Sequence, residues 1–132
     1  PLSDLNRIDT TASSAEMPAR YFGEISTDNW CYYYQQAANA EQREAWTEII
    51  SIYQNAEIEG HGPEDNSEWL PLIKAHIYNG NIGAALKLSE ELEIDNEFTH
   101  WGLCSVWQNH GQASTEQELE KQNLLLSRLK CD

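Results

Sequence analysis

Trp69-Leu70-Pro71-Leu72-Ile73-Lys74-Ala75-His76-Ile77-Tyr78, then Asn79-Gly80-Asn81, then Ile82-Gly83-Ala84-Ala85-Leu86-Lys87-Leu88-Ser89-Glu90-Glu91-Leu92, reads as two short amphipathic helices joined by a turn. Trp69, Leu72, Ile73 and Ile77 recur at helical spacing and predict an inward face. Pro71 is acceptable because it falls in the first turn, where its missing N–H would have no intrahelical partner. Asn79-Gly80 supplies the turn. Ala85, Leu86, Leu88 and Leu92 predict the buried face of the second helix, with Glu90, Glu91 and Glu93 turned to solvent.

Moving this pattern back 36 residues places Tyr33 on Trp69, Trp46 on Ile82, and Ile49 and Ile50 on Ala85 and Leu86. The spacing predicts a helix from Trp30 to Ala38, with Trp30, Tyr33 and Ala37 on one side and Asp28 as its N-cap. A second helix follows from about Glu41 to Glu57, with Ala45, Trp46, Ile49, Ile50, Tyr53 and Ala56 inward. Gly60-His61-Gly62-Pro63 breaks the chain, and Asp65, Asn66 or Ser67 can cap the next helix. Moving forward, Asp95 is expected to cap a fifth helix, in which Phe98, Trp101, Leu103, Cys104 and Trp107 make a wide apolar stripe stopped by Gly111. Ser114 with Gln117, and Thr115 with Glu118, stand at capping-box spacing and predict a last helix to Lys130. Its Leu119, Leu126 and Leu129 share a face that Leu124 and Leu125 widen, enough to pack on the preceding hairpin or on a second copy of the chain.

Residues 1–27 carry few apolar groups and are expected to form an extended arm pinned by Met17, Tyr21 and Phe22, with residues 28–132 as the helical domain. The 132 residues suffice for one core, and 40% apolar composition with five Trp and six Tyr argues for a folded chain. A net charge of −14 repels nucleic acid and anionic membrane surfaces. No apolar run approaches the roughly 20 residues of a membrane span, so this piece is not expected to insert directly. The chain opens at Pro1, which reads as the start of a processed or excised piece.

Trp69, Leu72, Gly80, Ala85 and Leu86 stand where a tetratricopeptide repeat has its first-helix Trp and Leu, its turn Gly, and the small and apolar pair of its second helix. The stretch resembles that family over about one 34-residue repeat, with Ile73 in place of its small residue and His76 in place of its Tyr. The resemblance implies a short stack of antiparallel helical hairpins that binds other proteins. A second string, Trp30-Cys31-Tyr32-Tyr33-Tyr34-Gln35-Gln36-Ala37 with Trp46, Glu68-Trp69-Leu70-Pro71-Leu72-Ile73 and Gly102-Leu103-Cys104-Ser105-Val106-Trp107, resembles the soluble C-terminal domain of many-span membrane proteins of Chloroflexi-type bacteria, often described as glycosyltransferase-like. That likeness implies a membrane-anchored bacterial parent and supplies no active-site residue.

Enzyme chemistry finds little purchase. His61, His76, His100 and His110 form no His-x-x-x-His or Glu-x-x-His pair with a third ligand, so neither a metal site nor a cofactor is expected. Glu57, Glu59, His61, Glu64 and Asp65 lack calcium-loop spacing. Cys31 or Cys104 beside His100 is the remaining nucleophile pairing. Cys31, Cys104 and Cys131 fit free thiols as well as one bridge with one spare, and Cys31 and Cys104 read as small core residues.

Trp30, Tyr32, Tyr33 and Tyr34 span every face of one helical turn, so at least one points away from the core. The chain is therefore expected to be an all-α domain of five or six helices and a non-catalytic interaction or scaffold module. Tyr32, Tyr34, Trp46 and His61 are the candidate contact residues for a protein or peptide segment carrying Lys or Arg. The alternative is a carbohydrate-binding or glycan-assembly accessory domain whose aromatics stack on sugar rings.

Overall fold

In the computed structural model, residues 29–131 are described, and the chain is all-α, with six helices and no strand among those residues. The expected N-terminal arm and the Asp28 cap lie outside the described residues. The chain divides into two units, residues 1–32 and 33–132. Of the first, residues 29–32 are described: Asn29 Oδ1 accepts the Tyr32 backbone N–H at 3.1 Å, which caps the opening turn of α1 (Trp30–Gln42).

Helix α1 extends past the Ala38 end that the spacing predicts, because Ala37 and Ala40 continue the buried stripe begun by Tyr33. The break comes at Arg43-Glu44, where Glu44 adopts φ 56° and lets the Ala45 N–H reach the Ala40 carbonyl at 2.9 Å. Arg43 holds this corner by pairing with Glu48 at 2.9 Å. Cys31 lies off the buried stripe of α1 and is exposed, which corrects its expected place in a core.

Helix α2 (Trp46–Ile58) buries Ile49, Ile52, Tyr53 and Ala56. Gly60, at φ 87°, allows the His61 N–H to close on the Ala56 carbonyl at 2.8 Å. Asp65 then caps a 3-10 turn, Asn66–Trp69, in a capping box with Glu68, and this turn leads into α3 (Leu70–Tyr78). Helix α3 buries Pro71, Leu72, Ile73, Ala75 and Ile77, whereas Trp69 is only half-buried and so is not part of the core face predicted for it.

Gly80, at φ 83°, turns the chain into α4 (Ile82–Glu91), which buries Ile82, Ala85, Leu86 and Ser89. Leu88 and Leu92 are half-buried. Asn96 caps α5 (Glu97–His110) in place of the expected Asp95, its Oδ1 accepting the Thr99 N–H at 2.8 Å. Thr115 caps α6 (Glu116–Leu129) by accepting the Glu118 N–H at 3.0 Å. Helix α6 buries Leu125 and Leu129, while Leu119, expected inward, is 49% exposed.

Helix α3 packs against α2, α4 and α5, and α6 packs against α4 and α5. The main apolar cluster accordingly joins Ile73 and Ile77 of α3, Leu86 of α4, Leu103 and Trp107 of α5, and Leu125 of α6. Cys104 belongs to this cluster as expected and is bridged to Cys131, with Cα atoms 5.6 Å apart.

A cleft between α2, α3 and α4

A cavity of about 590 Å³ opens where α3 is flanked by α2 and α4. Each wall presents one helical face at i, i+3, i+4 and i+7: Ile50, Tyr53, Gln54 and Glu57 from α2, and Ala84, Lys87, Leu88 and Glu91 from α4. Trp69, Leu72 and His76 form the floor, and His61, Gly62 and Pro63 close one end. The middle of the cleft is apolar and its charged groups sit on exposed rim positions, a distribution typical of sites that bury an apolar ligand and orient it by a few polar groups.

Tyr53 is the fixed point of this cleft. Its hydroxyl donates to the Glu68 carbonyl at 2.6 Å, and its ring lies tilted to Trp69 with centroids 6.3 Å apart. Burial, with the nearby Tyr34, Glu41 and Glu68, pushes the phenol well above its ordinary pKa, so Tyr53 acts here as a neutral donor. His61 faces the Tyr33 ring at 6.0 Å.

His76 is half-buried, and burial holds its pKa below the ordinary 6.5. The unfolded chain then takes up this proton first as the pH falls. The stability tied to neutral His76 is fully present above the ordinary histidine range and is lost as the pH drops through the depressed folded value. A His76→Gln variant is expected to flatten that acid-side decline, read as the difference in urea midpoint between about pH 7.5 and about pH 5.5. An unchanged difference would show that His76 does not carry the effect.

A second cleft of about 270 Å³ lies between α1, α3 and α5 and contains Tyr34, Glu41, Lys74, Phe98 and His110. Lys74 pairs with Glu41 at 3.4 Å and sits 5.6 Å from the Trp46 ring centroid. Trp46 stacks on Tyr78 at 4.6 Å, and the Tyr78 hydroxyl meets His110 Nδ1 at 2.5 Å. Desolvation, helped by Lys74 and opposed by Glu41, lowers the His110 pKa.

The candidate contact residues therefore separate. His61 lines the larger cleft and Tyr34 the smaller; Trp46 lines neither, because one face is covered by Tyr78. Tyr32 is half-buried and belongs to the first unit. Sequence reasoning passed over Trp69, Tyr53 and Leu88 as cleft residues; the mixed apolar and charged i, i+3, i+4, i+7 faces of α2 and α4 were the available signal.

Cys104 is not available as a nucleophile. Cys104 Sγ lies 3.9 Å from His100 Nε2 but is held in the disulfide, and His100 Nε2 also meets the Leu129 carbonyl oxygen at 2.5 Å. Among the described residues no group of three His, Cys, Asp or Glu side chains could hold a metal ion, and no helix is long and apolar enough to cross a membrane. No protein-family model, curated protein or solved structure matches this chain.

Proposed function

We propose that this chain is a non-catalytic protein-interaction module, a short tetratricopeptide-like arrangement of helical hairpins whose α2–α3–α4 cleft receives a segment of a partner protein. The observation that carries this reading is the cleft itself. It places half-buried Trp69 between two helix faces, with half-buried Leu88 on one of them, in a cavity of about 590 Å³, within the size range of ligand-binding clefts. A half-buried Trp beside well-packed apolar walls has the character of an interface anchor.

A photo-cross-linking residue placed at Gln54, which is exposed and lines the cleft, is expected to capture a discrete partner, whereas the same residue at Ser51, exposed elsewhere on α2, is not. Trp69→Ala should weaken that capture by roughly 30-fold, as for an interface hot spot, and leave the helical circular dichroism unchanged. Equal capture from both positions, or capture indifferent to Trp69, would sink the reading.

A further inference from the structure

The cleft has two unlike ends. Tyr53 of α2 donates to the Glu68 carbonyl, which sets the later half of α2 beside the start of α3. The Asn81 N–H donates to the His76 carbonyl at 2.8 Å, which sets the start of α4 beside the end of α3. Both walls therefore run opposite to the floor, and both reach their C-terminal turns at the Trp69 end. Glu57 lies in the last turn of α2 and Glu91 closes α4, so two carboxylates and two helix C-termini, each with its partial negative charge, share that end with the Trp69 indole. Among the described residues neither Glu57 nor Glu91 is ion-paired. Ile50 and Ala84 line the opposite end together with the half-buried His76, and the exposed Lys87 stands one helical turn before Glu91 on the α4 wall.

We propose that the Trp69 end is a subsite for the guanidinium of an arginine on the partner segment, with an apolar side chain of the same segment seated further along against Leu72 and Leu88. This rests on the reading of the cleft as a protein-docking site and specifies its occupant. A guanidinium suits the place better than an ammonium: its planar, weakly hydrated face can lie on an indole while its edge donates to a carboxylate on the rim. The chain's net charge of −14 draws such a cationic segment in and turns acidic ones away.

N-acetyl-arginine-amide and N-acetyl-leucine-amide are the probes, read by the indole N–H resonance of Trp69, which Trp69→Phe assigns. The arginine probe is expected to shift that resonance in a saturable, salt-sensitive way. Glu57→Gln with Glu91→Gln should raise its dissociation constant about fivefold, the scale of two partly exposed charge contacts, while leaving the leucine probe unaffected. Both positions are exposed, and matching thermal melts would confirm an intact fold. An arginine probe that leaves the indole unmoved, or that binds the double variant equally well, overturns the subsite. If the leucine probe still binds, the docking cleft survives that loss; if neither binds, both readings fall.

Discussion

Trp107→Ala is expected to remove about 4 kcal/mol of folding stability, the range seen when a buried large aromatic is cut back to a methyl group. Trp107 is 1% exposed and lies where α4, α5 and α6 meet. Its indole N–H donates to Ser89 Oγ at 2.8 Å, and the Ser89 hydroxyl donates in turn to the Ala85 carbonyl at 2.8 Å. Alanine would open a cavity at this junction and also strip Ser89 of its donor. Two smaller changes separate the causes. Trp107→Phe keeps most of the apolar volume and should cost less than alanine. Ser89→Ala leaves the indole N–H buried without an acceptor and should cost about 1–3 kcal/mol. Because the two side chains touch, the double variant should cost less than the sum of the singles. Urea unfolding followed by circular dichroism reads all four; an alanine variant within about 1 kcal/mol of the parent would mean that Trp107 is not at the centre of the core.

The same junction shows which features were legible beforehand. Leu103, Cys104 and Trp107 fall on the predicted stripe, and Gly80, Thr115 and Glu118 mark a turn and a cap with chemistry that needs no tertiary context. The end of α1 was not legible, since the residue that turns the chain is Glu44, not a glycine, at a positive φ that an L side chain rarely adopts. Trp69 shows the same limit at the candidate site. Its spacing matches the buried Leu72, but it precedes α3 in a 3-10 turn, where the angular phase of the helix does not apply. The cleft is a property of three helices whose separate patterns each resemble an ordinary half-buried face. His61 was identifiable because a lone polar ring in a glycine loop stands out locally; Tyr53 was not, because its hydroxyl bond to Glu68 spans 15 residues. The pairing of Cys104 with Cys131 had no signature at all, as an odd set of three cysteines leaves both bridged and free arrangements open.

Breaking that bridge is the second large effect. Cys131 follows Lys130, which ends α6 in the left-handed conformation at φ 56°, and the Cys131 N–H closes the helix on the Leu126 carbonyl at 3.1 Å. The disulfide therefore ties a strained, non-glycine helix end to the middle of α5. The bridge joins residues 27 apart in sequence, and loop-closure entropy for a loop of that size contributes about 3.5 kcal/mol through the unfolded chain. Cys104→Ala with Cys131→Ala, or the parent chain in a dithiol reductant, should melt roughly 15 °C or more below the oxidised parent, given the sensitivity of domains near this size. Cys31 is free and distant in sequence, so Cys31→Ala should melt like the parent and should not alter the response to reductant. Lys130→Gly relieves the left-handed strain and should recover part of the loss in the bridge-free protein, on the order of 1 kcal/mol. If reduction leaves the melting temperature in place, the α5–α6 contacts through Leu125 and Leu129 already fix the helix end, and the covalent link adds nothing to the fold.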